Sequence, residues 1–268
     1  MTTITSIALS GINVQQNQTQ NIAANLANSQ TIGYKESYST STDAPFYNYI
    51  KLPGRHGDEA APPPVGVYAG SGTNIAGTIK KLSQGQLRFT DNPLHIALVG
   101  QGYIAANFKG QKAFTRNGQL QISKDRKLQL PGGHDLDNDI TIPQEVSLNS
   151  LKISNEGVIT APGQDGATIT IGQITVYQFN NEQGLQEIGD GLKQQTEVSG
   201  DPIENIPGEN SAPTIQHLSL EESNVDSYGA MIDMMDSSRI IQHLWHILTS
   251  AHKNEMSAMD SAYAAASA

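Results

Sequence analysis

From Met231 onward a seam of mostly apolar or small residues recurs in steps of three and four: Met231, Met234, Ser238, Ile241, Trp245, Leu248, His252, Glu255 and Met259. That alternation keeps one narrow seam facing a partner along a coiled coil. A stripe this narrow cannot cover a broad core, so it predicts a long helix that pairs with another helix. Ser223 and Asp226 have the spacing of a capping signature and predict where the helix begins, because their oxygens can accept the free N–H groups of a first turn. Residues 1–34 supply the candidate partner. They carry no charged side chain, and Ile4, Ala8, Ile12, Gln15, Thr19, Ile22 and Leu26 recur at nearly helical period. Gln and Asn crowd residues 16–21, so a disordered polar tract stands as the alternative for this segment in an isolated monomer.

Between the ends the texture changes. Short β-rich runs occur at Leu87–Phe89, Leu94–Val99, Gln119–Ile122, Leu128–Leu130, Leu148–Ile153 and Thr168–Phe179. Asn117-Gly118, Pro131-Gly132-Gly133, Asn155-Glu156-Gly157 and Asp165-Gly166 offer reversals between them, which predicts an antiparallel β domain. Residues 44–74, with Pro53-Gly54 and the Pro62-Pro63-Pro64 run, cannot form a continuous helix and read as an extended arm. The expected architecture is α+β: paired, coiled-coil-like N- and C-terminal helices at 1–34 and 216–268, an arm or linker at 35–75, and a central antiparallel β domain at 76–215.

Composition narrows the function classes. A net charge of -10 disfavours nucleic-acid binding, which needs clustered Lys and Arg to displace counterions. The absence of cysteine removes disulfides, thiolate metal sites and thiol nucleophiles. No apolar run reaches the ~18 residues of a membrane span, and residues 1–34 lack the pattern of a secretory signal, so export by an uncleaved route is expected. No Gly-Lys-Ser/Thr phosphate loop and no Gly-x-Ser-x-Gly elbow occurs. His243 and His246 lie one turn apart but lack an intervening Glu to activate water. Asp135, Asp137 and Asp139 begin like a calcium loop, yet Ile140 and Val146 replace its turn glycine and bidentate acid. Nine acids and no Lys or Arg fall between residues 194 and 238, a surface that Lys124, Arg126 and Lys127 could complement across subunits. No catalytic residue, metal or cofactor is expected.

Ala24-Asn25-Leu26-Ala27-Asn28-Ser29-Gln30-Thr31-Ile32-Gly33-Tyr34-Lys35 closely resembles the signature of flagellar rod and hook proteins. Leu220-Glu221-Glu222-Ser223-Asn224-Val225-Asp226 resembles the segment that opens the C-terminal helix in the same family. Gly85-Gln86-Leu87, Asn92-Pro93-Leu94, Gly100-Gln101-Gly102-Tyr103 and Phe114-Thr115-Arg116-Asn117-Gly118 resemble its central motifs. The resemblance implies a structural, non-enzymatic subunit of the basal-body rod, with paired terminal helices inside and the β domain outside. It also implies flagellar export without a cleaved signal into a periplasmic rod, and helical assembly with its own copies, other rod and hook proteins and the surrounding rings. Nucleic acid and membrane insertion are not among the implied partners. Asn25, Leu26, Ala27, Asn28, Thr31, Gly33, Tyr34, Lys35, Ser223, Asn224, Val225, Asp226, Arg239, Ile241, Trp245 and Leu248 become the candidate assembly residues.

The segment from Tyr49 to Gly54 and the Gly-rich stretch to Thr73 look most like the distal-rod member of the family. Ile241, Leu244 and His252 stand where the family usually has an aromatic, an Asn and an Asp, which keeps the proximal-rod sibling open. A hook-type axial protein, a periplasmic enzyme and a carbohydrate-binding β module are the remaining alternatives.

Overall fold

The computed structural model describes residues 3–45, 47–50, 67–138, 140–163, 167–209 and 212–266. It divides the chain into two compact units: Met1–Leu26, Ser37–Ile79 and Ser227–Ala268 form one, and Ala27–Glu36 with Lys80–Asp226 form the other. The class is α+β, with two helices and antiparallel sheets. Residues 51–66, which hold the Pro53-Gly54 and Pro62-Pro63-Pro64 part of the expected arm, lie outside the described residues, as do Asp139 and the Asp165-Gly166 turn. Among the described residues no helix is long and apolar enough to cross a membrane.

The first unit holds α1 (Thr3–Ala27) and α2 (Ser227–Ala266), the latter 40 residues and so about 60 Å long. On α1, Ala8, Ile12 and Val14 are buried, whereas Ile4, expected on the same stripe, is 56% exposed. Gly11 lies against α2, since a Cβ there would come within 3.1 Å of Leu244 Cδ1. The helix stops at Ala27, short of the expected residue 34. Thr31 N–H closes a turn on Asn28 O, and Gly33 sits at φ +71°, a conformation that side chains with a Cβ resist.

The sheltered face of α2 differs from the expected seam. Ala230, Met234, Ser237, Ile241, Leu244, Leu248, Ala251 and Glu255 are buried or half-buried, and they too alternate in steps of three and four. Met234, Ile241, Leu248 and Glu255 are shared with the expectation. Met231, Ser238, Trp245 and His252 are each displaced by the residue before them and stand exposed. A heptad pattern fixes the period but not which of two adjacent rows turns inward, and here the row with Ala230, Ser237 and Ala251 does so, where small side chains permit close approach. The start of α2 also shifts: Ser223 Oγ accepts Val225 N–H at 3.3 Å in a local turn, and Asp226 is the residue that immediately precedes the helix.

Strand Ser37–Asp43 pairs with Thr73–Lys80, and Tyr47–Ile50 pairs with Val67–Ala69. Ser10 of α1 accepts Thr73 N–H at 3.2 Å, and a Cβ on Gly72, at φ +102°, would collide with the Ser10 hydroxyl.

The second unit is β-rich. Gln186–Gly189, Leu192–Gln194, Gln111–Thr115 and Ile104–Phe108 form a four-stranded antiparallel sheet in that order. Lys152–Ile153, Val158–Pro162 and Thr168–Gln173 form a three-stranded one. Ile96–Val99 pairs with Thr214–His217, and Leu87–Phe89 with Ser219–Glu221. Ile96, Leu98, Ile104, Leu120, Ile142, Ile159, Ile174, Leu192 and Ile215 fill the core, each essentially inaccessible to water. Tyr103, Phe114, Tyr177 and Phe179 form a second cluster of edge-to-face rings, with Phe114 and Phe179 centred 4.8 Å apart.

Candidate functional site

Pairing of Ser219–Glu221 with Leu87–Phe89 sets Glu221 opposite Leu87 and carries its carboxylate into the β-rich unit. There it meets two cations that arrive from distant parts of the chain. Lys35 Nζ donates to Glu221 Oε1 at 2.6 Å and to Ser83 O at 2.8 Å. Arg116 Nε donates to Glu221 Oε2 at 2.9 Å, while its Nη1 and Nη2 reach Gly102 O at 3.2 Å and Gly100 O at 2.8 Å. Gly85 N–H adds a third donor to the carboxylate at 3.0 Å. All three charged side chains are almost wholly buried.

Burial alone pushes the Glu221 carboxyl up, but Arg116 and then Lys35 outweigh it and hold the group below its ordinary value. Lys35 is pushed down, first by burial and then by Arg116, with Glu221 pulling the other way. Charges this deep persist because each is paired and hydrogen-bonded, and removing one partner of such a set typically costs about 3–5 kcal/mol. Both Glu221 oxygens are held by fixed donors. The arrangement is a lock.

Backbone approach completes it. Gly33 N–H donates to Glu221 O at 2.8 Å, and a Cβ on Gly33 would lie 2.9 Å from the Arg116 carbonyl carbon. A Cβ on Gly85 would overlap Glu222 O at 1.9 Å, and one on Gly118 would overlap Ile96 O at 1.7 Å. Asn224 adds a second clasp. Its Oδ1 accepts Glu36 N–H at 2.7 Å, and its Nδ2 donates to Lys81 O at 2.8 Å and Ser83 O at 3.0 Å. The chain passes between its two units after residues 26, 36, 79 and 226. Asn224 therefore gathers, on the β-rich side, the residues beside three of those four crossings.

The structure brings Gly33, Tyr34, Lys35 and Asn224 of the candidate residues to this knot, where Asn224 N–H reaches Tyr34 O at 3.4 Å. Thr31 Oγ1 donates to Asn28 Oδ1 at 3.1 Å in the turn beside it. Asn25, in the other unit, donates to Ser37 O at 2.6 Å and accepts its N–H at 2.9 Å. Leu26 and Val225 are half-buried and Ala27 exposed. Arg239, Ile241, Trp245 and Leu248 lie along α2, where Arg239 is exposed and pairs with Asp236.

Glu221, Arg116 and Gly85 were absent from the candidate assembly residues although each falls within a recognised motif. Sequence does not distinguish a buried acid from a solvated one, and residues 219–226 hold three acids. The basic cluster is also corrected in part: Arg126 spends its guanidinium on Ile142 O, Pro143 O and Val146 O of its own chain. Of the aspartates, Asp137 pairs with Lys112 at 2.6 Å and accepts the Tyr177 hydroxyl at 3.2 Å.

Residues 97–161 match the flagellar hook protein FlgE/F/G D1 domain family. The flagellar basal-body rod protein FlgG of Buchnera aphidicola subsp. Schizaphis graminum is 31% identical over 236 residues, covering 87% of this chain and 89% of that one. FlgG of Borreliella burgdorferi is 32% identical, covering 87% and 88%. The flagellar hook-basal body complex protein FlhP of Bacillus subtilis is 28% identical over 86% of this chain and 88% of its own. These relatives are flagellar basal-body proteins by name, they align over nearly the whole chain, and the chain belongs to the family of flagellar basal-body rod proteins represented by FlgG.

Proposed function

We propose that the protein is a non-enzymatic subunit of the distal rod, polymerising helically into the shaft that transmits torque from motor to hook. The observation that carries this reading is the outward face of α2. Met231, Met235, Trp245, Met256 and Met259 stand on it at heptad-compatible steps, with Met235 71% and Met259 68% exposed. Exposed apolar side chains recurring along one helix face mark an interaction site, and a second seam on a helix already sheltered along its first suits packing among several helices. In this reading α1 and α2 pair as a coiled coil, and the outward seam meets helices of other copies and of neighbouring rod and hook proteins, inside the basal-body rings. Family membership supports these partners, a periplasmic location and export without a cleaved signal.

The Asn224 clasp beside the charge knot fits a mechanical role. Torque passed between the two units would pull on the crossings beside Glu36, Lys81 and Asn224, residues that the Asn224 carboxamide holds together. Met235→Lys and Trp245→Lys test the reading, since each places a charge on the outward seam. Electron microscopy of the purified chain is expected to show loss of filaments, with melting of the β-rich unit unchanged. Filaments that form as readily as those of the unsubstituted chain would remove the seam from assembly.

A further inference from the structure

A second buried cation remains after the knot is accounted for. In the β-rich unit, the turn of Asn28–Lys35 and the hairpin carrying Gln186–Gly189 and Leu192–Gln194 line a cleft of about 180 Å³. Thr31, Lys35, Asn117, Glu187 and Lys193 contribute to its walls. Lys193 is 8% exposed, and its Nζ has only the Tyr103 hydroxyl at 3.5 Å and the Tyr103 ring, centred 5.0 Å away. Tyr103 gives its own proton to Glu182 at 2.8 Å, so that acid is one hydrogen bond removed from the amine. The other nearby charges are committed: Lys35 and Arg116 share Glu221, and Glu187 pairs with Lys80. Among the described residues Lys193 forms no ion pair. An ammonium carried this far from water without a carboxylate is expensive, and burial accordingly pushes it down to about 8, still charged at neutral pH.

We propose that this cleft binds a single carboxylate group, with Lys193 as its counter-charge. The volume fits one such group with a few waters, and Asn117 on the wall, whose Oδ1 accepts Gln119 N–H at 3.0 Å, keeps its Nδ2 as a donor for either. The carboxylate can come from a free small acid or from an Asp or Glu side chain of a second copy, whose net charge is -10. Only the second source rests on the self-assembly proposed above.

The test uses the full chain with labelled lysine, dilute enough to be monomeric by sedimentation. The Lys193 Hε/Cε resonance is identified by its loss in Lys193→Met, and its titration midpoint is followed by NMR in sodium acetate and in sodium chloride at equal ionic strength. Acetate is expected to raise the midpoint by half a pH unit or more over chloride and to leave exposed Lys81 unmoved. The same resonance is then titrated in sedimented filaments without acetate. A rise with acetate supports a free acid as ligand, and a rise only on assembly supports a neighbour's side chain. Equal midpoints in acetate, chloride and filament overturn the proposal.

Discussion

Lys35 and Glu221 are separated by 186 residues in sequence, yet their side chains meet at 2.6 Å in a site almost closed to water. Arg116 completes the set at 2.9 Å. One carboxylate thus ties the segment after α1, the residue that follows the strand Gln111–Thr115 and the segment that leads into α2. Glu221→Gln leaves two buried cations without their counterion and is expected to destabilise the β-rich unit by about 3–5 kcal/mol in urea unfolding. Adding Lys35→Met to Glu221→Gln should recover part of that loss, because one orphaned charge is removed with its partner. Strictly additive losses would show that the two side chains are not coupled.

Gly33→Val is expected to lower the melting temperature of the β-rich unit as well as to impair assembly. The position sits at φ +71°, and its Cβ would press on the Arg116 backbone at 2.9 Å. Gly110→Ala serves as the comparison: φ is also positive, at +83°, but a Cβ there meets nothing within 4 Å. Calorimetry should show the larger drop for Gly33→Val. Equal drops would mean that backbone conformation alone, and not the close approach to Arg116, sets the cost.

The charged groups predict opposite responses at the two ends of the pH range. Glu221 is held below its ordinary value of 4.5, so its contribution is present above that pH and is lost as pH falls through the lowered value. Lys193 is pushed down from 10.5 to about 8, so between those values the unfolded chain binds the extra proton and stability rises with pH. Tyr103 is raised above 10, chiefly by burial, and keeps its proton in the folded unit, which reverses the trend above pH 10. Urea midpoints measured from pH 7 to 11 should climb from about pH 8 and then turn over. Lys193→Met is expected to flatten the climb, and a climb of unchanged size in that variant would assign it elsewhere, with Lys80, also pushed down to about 8, the first candidate.

Trp245, the sole tryptophan, is 48% exposed on the outward face of α2. Its fluorescence is expected to be readily quenched by acrylamide in the dilute chain and to become blue-shifted and protected on assembly. Trp245→Ala should weaken assembly through loss of a large contact. Equal quenching in monomer and filament would place the indole outside any interface.

Much of this protein is legible along the chain because the information is local. Seven-residue spacing marks α2, Gly-containing reversals mark the β-rich middle, and the motifs around Gly33, Arg116 and Glu221 mark the family. Local signals do not say which of two adjacent rows faces inward, so Trp245 and Leu244 exchange places relative to the expected seam. The charge knot is the clearest case of what only tertiary structure decides. Lys35, Arg116 and Glu221 are ordinary charged residues in sequence, and nothing within a few positions of each reveals its partners. Pairing of Ser219–Glu221 with Leu87–Phe89 carries the carboxylate under cover, and desolvation there makes a partner obligatory. The same burial leaves Lys193 short of one, a deficit that appears only when charges from distant segments are gathered in a common low-dielectric space.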